Sequence, residues 1–155
     1  MITRFDTKSA ADDTALSGVT YTPDTPVAVL NIVHGFGEHS GRYAHMMDHL
    51  GQHGIASAAI DVRGHGKSGG KRGVCLDYSH LHSDVDALLA HSETAFPGLP
   101  QVLFGHSMGG GLVLHYVLKH GPSGQNAVVA SAPLLTLTKP VPKPLEMLMR
   151  GLRRI

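Results

Sequence analysis

The hydrophobic positions of this 155-residue chain fall into an alternation of strand-like and helix-like runs. Residues 2–8 and 16–21 read as a leading antiparallel pair of strands, with Pro23 and Pro26 marking the loop that follows. Val27-Ala28-Val29-Leu30-Asn31-Ile32-Val33 is nearly continuous in apolar character, as expected of a central parallel strand covered on both faces. Residues 40–53 carry Tyr43, Met46, Met47 and Leu50 at helical spacing and stop at Gly54. A strand at 55–60 feeds a glycine-rich loop that begins at Asp61. The helix at 78–96 turns Leu81, Val85, Leu88 and Leu89 inward and ends before Pro97. A strand at 101–105, a helix at 108–120 and a strand at 126–131 complete the pattern. Strands and helices in this order predict an α/β fold, a mostly parallel sheet wound on both sides. There are no internal repeats.

Candidate chemistry concentrates at residues 101–111, Gln-Val-Leu-Phe-Gly-His-Ser-Met-Gly-Gly-Gly. Ser107 stands in a Gly-x-Ser-x-Gly pentapeptide between the apolar run Val102-Leu103-Phe104 and the helical pattern Leu112, Val113, Tyr116, Val117. That context predicts a strand turning sharply into a helix with the serine at the apex. Gly105 and Gly109 suit it because so tight a turn leaves no room for a Cβ. The serine Oγ would stand clear of the sheet as a nucleophile, and the Met108 N–H would face whatever it attacks.

A second glycine-rich turn, His34-Gly35-Phe36-Gly37-Glu38-His39, follows the strand at 27–33. In a serine hydrolase of this architecture the loop here supplies the second oxyanion donor, the Phe36 N–H. The competing reading is a phosphate-cradling loop. It fits less well, because a dinucleotide fingerprint wants its third glycine three residues after the second, and Gly41 is four after Gly37. Asp61, the one acidic residue at a strand end, opens a glycine-rich loop instead of meeting a ribose.

Three separated motifs carry a family resemblance: the segment from His34 to Tyr43, Asp61-Val62-Arg63-Gly64-His65-Gly66-Lys67-Ser68-Gly69-Gly70, and Gly105-His106-Ser107-Met108-Gly109-Gly110. Together they resemble the α/β-hydrolase fold, and within it the monoacylglycerol lipase and lysophospholipase branch, which includes serine aminopeptidase S33-type proteins. The similarity spans about residues 5–135. It implies hydrolysis of a carboxylic ester, often a monoglyceride or lysophospholipid, without metal or organic cofactor. The implied site is Ser107 as nucleophile, Phe36 and Met108 as oxyanion donors, and His34, Gly35, Gly37, Gly105, His106 and Gly109 as supporting loop residues.

The chain also departs from that family. Members are about twice as long, with the acid and histidine of the triad well past the elbow, whereas here 48 residues follow Ser107. Only His115, His120 and Glu146 lie downstream as candidate partners. His115 is eight residues into the elbow helix, roughly 12 Å along its axis at 1.5 Å per residue, too far to take the proton directly. His120 is farther, and Glu146 belongs to a proline-bounded tail. The expectation is the N-terminal part of an α/β-hydrolase core at 1–135, truncated before the last strands, with the start of a lid at 136–155.

Composition changes this picture little. A chain of this length forms one domain that buries about 70% of its unfolded surface. A net charge of +1 and a pI near 8.0 give no electrostatic case for nucleic acid. The single cysteine, Cys75, excludes an internal disulfide framework. No signal-like or membrane-spanning apolar run occurs in the sequence, so a soluble, cytoplasmic protein is expected. Twelve histidines invite a metal hypothesis. His80 and His82 are two apart, and His45 and His49 have one-face ligand spacing, but neither pair carries the glutamate of a His-Glu-x-x-His site. Solvent-facing histidines on amphipathic helices are the preferred reading, with no metal. His34 and His65 sit beside glycines, where an imidazole can hold a loop by hydrogen bonds without touching substrate.

The tail changes character at Pro133. Pro140, Pro142 and Pro144 precede Leu145, Leu148, Met149 and Leu152 at helical spacing, flanked by Lys143, Arg150, Arg153 and Arg154. This reads as the first lid helix packing on the body, or as a basic, apolar helix that makes peripheral membrane contact through 143–155. Two classes of function stay open. One is a serine hydrolase of small-molecule ester or lipid substrates whose base and acid come from a missing C-terminal half or a complementary C-terminal chain. The other is a catalytically inactive module for ligand binding or protein association. An unpaired edge at 126–131 predicts self-association or pairing with that complementary chain.

Overall fold

Six strands form one sheet in the computed structural model, which describes residues 1–75 and 77–136. They are β1 (Ile2–Lys8), β2 (Ala15–Tyr21), β3 (Ala28–Val33), β4 (Ile55–Ile60), β5 (Gln101–His106) and β6 (Ala127–Ser131). The helices are α1 (Ala44–Gly51), α2 (Tyr78–Ala95) and α3 (Met108–His120). Across the sheet the order is β1-β2-β4-β3-β5-β6. The four strands β4-β3-β5-β6 run parallel, and β2 joins both β1 and β4 antiparallel. The expected mostly parallel α/β sheet is the observed one.

Alternation along the strands fills both faces. Val33, Ile60 and Leu103 point to the side covered by α2 and α3, where Leu81, Val85, Leu88, Leu112, Val113 and Tyr116 meet them. Ile32 and Ala59 point to the other side, against Met47 of α1. These side chains are almost wholly removed from water, and burying each large one contributes about 1.5–3 kcal/mol. Asn31 interrupts the apolar run of β3 and is fully buried, so its amide must find partners. Its Nδ2 donates to Gln101 Oε1 at 2.6 Å, and its Oδ1 accepts from the Ser92 hydroxyl, which ties β3 to β5 and α2.

The helix expected over 40–53 is split. Residues Ser40–Tyr43 form a 3₁₀ turn, and the α-helix runs only over Ala44–Gly51. The cause lies outside the segment: the buried Asp61 carboxylate takes the Ser40 N–H at 2.6 Å and fixes the entry into a tighter turn. Asp77 caps α2 by accepting the Ser79 N–H at 2.9 Å. Among the described residues β6 is an outer strand with β5 as its one neighbour, and Val129 on it is 47% exposed. The lid segment beyond residue 136, with Glu146 and the apolar stripe at 145–152, lies outside the described residues. No described helix is long and apolar enough to cross a membrane.

Candidate active site

The carboxyl ends of β3, β4 and β5 bring three loops together, as parallel strands with helical crossovers dictate. Ser107 links β5 to α3 with φ 52 and ψ −115, a backbone conformation rare for a residue with a side chain. Its neighbours allow this only by being small. A Cβ on Gly105 would lie 2.2 Å from the Gly109 carbonyl oxygen, and one on Gly109 would lie 2.2 Å from the Val33 carbonyl oxygen. The serine backbone is tied on both sides, its N–H to the Ser131 carbonyl at 2.9 Å and its carbonyl to the Leu134 N–H at 2.8 Å. Among the described residues its Oγ has no hydrogen-bond partner, which leaves it available to a substrate or a base.

The loop after β3 lies directly against this serine. A Cβ on Gly35 would be 3.3 Å from Ser107 Cβ and 3.2 Å from Glu38 Oε2. Glu38 shapes the loop from within: its Oε2 accepts the Gly35 N–H and the Tyr43 hydroxyl, each at 3.0 Å. Burial pushes its pKa up, but these donors and Arg42, at 3.4 Å, outweigh that and hold it below the ordinary range. The Phe36 N–H is free of partners among the described residues. The Met108 N–H, first in α3, has no intrahelical acceptor. Gly37 turns the chain at φ 74, and the Phe36 side chain is 65% exposed.

His34 is a cross-brace. It is fully buried, its Nδ1–H donates to the Gly35 carbonyl at 2.7 Å, and its Nε2 accepts the Val62 N–H at 3.0 Å. Because the Val62 amide needs a lone pair on Nε2, the ring must be neutral, and burial lowers its pKa to match. The loop after β4 is held in turn by Asp61, whose Oδ2 accepts the Lys67 N–H at 2.8 Å. Burial disfavours the Asp61 anion, yet the Lys67 and Ser40 amides outweigh this and lower its pKa.

Each expected site residue therefore has a place. Ser107, Gly35, Gly105 and Gly109 converge, His34 braces the loop, and His106 turns towards β6, with Nδ1 3.4 Å from the Ser131 hydroxyl. His115 and His120 are engaged elsewhere, each 2.9 Å from a ring nitrogen of His82. His80 lies 3.4 Å from Asp12, and the ring of His49 is 5.0 Å from that of His53, but His82, expected to face solvent, is buried because α3 packs over it. The sequence reading missed Glu38 as the loop's internal acceptor. It also missed Arg63, which binds Asp84 with Nη2 at 2.7 Å from Oδ1 and Asp12 with Nη1 at 2.8 Å from Oδ2. Arg63 and Glu38 stood inside the recognised motifs; Asp84 and Asp12 had no local signal.

The serine aminopeptidase S33 family profile matches residues 24–155. A monoacylglycerol lipase of Mycolicibacterium smegmatis is 42% identical over 114 residues, 73% of this chain and 40% of that protein. Human monoglyceride lipase is 40% identical over 90 residues, 58% of this chain and 30% of its own length. The solved monoacylglycerol lipase of Paleococcus ferrophilus superposes with a TM-score of 0.71 at 35% identity, covering 90% of this chain and 51% of that one. The chain thus spans about half, or less, of the relatives it matches. A profile match across most of the sequence, joined to an elbow serine pressed against a glycine-rich loop, shows that this chain belongs to the serine aminopeptidase S33 family of α/β-hydrolases.

Proposed function

We propose that the chain carries the nucleophile and oxyanion hole of a carboxylic ester hydrolase acting on monoacylglycerols or lysophospholipids. The observation that carries this reading is the placement of Ser107 at φ 52 with Gly35 against it, beside two amides that face no other described acceptor. Ser107 Oγ attacks the ester carbonyl carbon, and a histidine accepts the hydroxyl proton. The Phe36 and Met108 N–H groups hold the oxyanion, each contributing about 2.7–4 kcal/mol to the transition state. Collapse of the intermediate breaks the bond to the alcohol, which leaves with that proton, and water then releases the acid. The histidine and the acid that orients it come from polypeptide beyond the described residues, in keeping with the greater length of the relatives.

Apolar side chains near the serine favour an acyl chain over a charged substrate. Phe36 is 65% exposed, and Leu134 and Leu135, 47% and 74% exposed, follow directly on the Leu134 bond to Ser107. The enzyme completed with its histidine should prefer octanoyl to acetyl esters of p-nitrophenol; the reverse preference would remove the lipid assignment. Ser107→Ala should abolish hydrolysis of the same ester, and equal activity in the two proteins would show that the serine is not the nucleophile. One observation favours the alternative of an inactive binding module. The described histidines downstream of Ser107 are both committed to His82, so this segment by itself should turn over esters slowly.

A further inference from the structure

The histidines that do not serve Ser107 form an arrangement of their own. His82 of α2 is only 3% exposed, and it stands between two exposed histidines of α3. Its Nε2 is 2.9 Å from His115 Nδ1, and its Nδ1 is 2.9 Å from His120 Nε2. Tyr78 and Tyr116 enclose the group edge-on, with ring centroids 5.5 Å from that of His82 in both cases. A shared metal ion does not fit, because His82 offers a different nitrogen to each partner and the two point to opposite sides of its ring. No group of three metal-ligating side chains that could hold an ion occurs among the described residues.

Counting protons shows what the arrangement can do. Each nitrogen–nitrogen contact holds one proton, donated by one ring and accepted by the other. Two contacts and two outward nitrogens therefore take four protons, one more than three neutral imidazoles carry. The closed cluster accepts a single added proton. A second must place two N–H groups head to head across 2.9 Å, which no hydrogen bond tolerates. We propose that His82, His115 and His120 form an acid-operated latch on the α2–α3 seam, closed while the three rings share at most one added proton and opened by the next.

The surroundings do little to relieve that excess charge. From α3, Lys119 faces the cluster and adds positive charge. From α2, Asp86 opposes it, but its Oδ1 already accepts the Tyr116 hydroxyl at 2.6 Å. In the loop before α2, Asp77 faces Lys119, and Cys75 faces Tyr78. Burial, then the charges of His115 and His120, hold the pKa of His82 down to about 4, against 6.5 for a free imidazole. A depressed value means that the stability is present above the free-imidazole pKa and is lost as pH falls towards the folded one. Opening then grows about tenfold per pH unit for one excluded proton and about a hundredfold for two.

Hydrogen exchange followed by mass spectrometry, corrected for intrinsic rates, reads this directly. In the parent chain, protection over α2 and α3 should fall relative to β3 and β5 as pH drops from about 6.5 towards 4. In His82→Leu that acid step should vanish. If this variant fails to fold, the double variant His115→Gln, His120→Gln changes only exposed positions. Glutamine oxygens accept from a doubly protonated His82, so only the burial of that ring remains and the step should shrink and move to lower pH. An acid step of unchanged size and midpoint in the variants, or no step in the parent, would overturn the latch. Seam protection raised by micromolar Zn²⁺ in the parent and not in the double variant would overturn it in favour of a metal site.

Discussion

Ser107 holds a side chain at φ 52, where a non-glycine residue costs of order 1–3 kcal/mol, so the proposed nucleophile sits in a strained backbone that its neighbours enforce. Glycine would relieve that strain. We expect Ser107→Gly to be about 1 kcal/mol more stable than Ser107→Ala in urea unfolding, since alanine keeps the strain and glycine does not; the reverse order would contradict the geometry. At Gly109 a Cβ would stand 2.2 Å from the Val33 carbonyl oxygen, and both atoms belong to elements that cannot shift independently. Gly109→Ala should therefore abolish cooperative thermal unfolding by forcing α3 off the sheet. The Arg63 pair offers a third test. Asp84 is 1% exposed, so Arg63→Met leaves its carboxylate buried without a countercharge, held only by the backbone N–H of residue 63 at 3.0 Å, and chemical denaturation should show a loss of about 3 kcal/mol. A loss under about 1 kcal/mol, the range of exposed pairs, would mean that water reaches Asp84.

Elements differ in how plainly the sequence announces them. The cores of β3, β5, α2 and α3 were legible because their patterns are local, and the elbow was legible because Gly105 answers a close approach to the Gly109 backbone four residues on, although Gly109 also answers to the distant Val33. The turn at 40–43 was not, since the group that tightens it, Asp61, lies 21 residues away. The same holds for the Arg63–Asp84 pair and for the ring contacts of His82, whose partners are 33 and 38 residues distant. Sequence spacing marked His45 with His49 and His80 with His82, whereas the packing of α2 on α3 selected His82, His115 and His120. Long-range polar contacts leave no periodicity to read. At the sheet edge, β6 has β5 as its one neighbour among the described residues, and Val129 on it is 47% exposed. We expect the chain to associate through this edge at micromolar concentration, and Val129→Lys to shift it towards monomer in sedimentation velocity. A parent that sediments as a monomer of about 16.4 kDa would exclude that pairing.

Across the described residues, the sheet, the two braced loops and the elbow converge on Ser107, held in strain against the loop after β3, with the Phe36 and Met108 amides as its proposed oxyanion hole. In the proposed reaction the base comes from outside the described residues, and without it attack by the serine is expected to be slow. The central claim is that this slow attack on the ester is made by Ser107. Exposure of the chain to an octanoyl p-nitrophenyl ester, followed by mass mapping of the acylated peptide, tests it most directly. Slow, single-turnover acylation confined to Ser107 and absent in Ser107→Ala is the expected result. Acylation at the same rate in Ser107→Ala would contradict it.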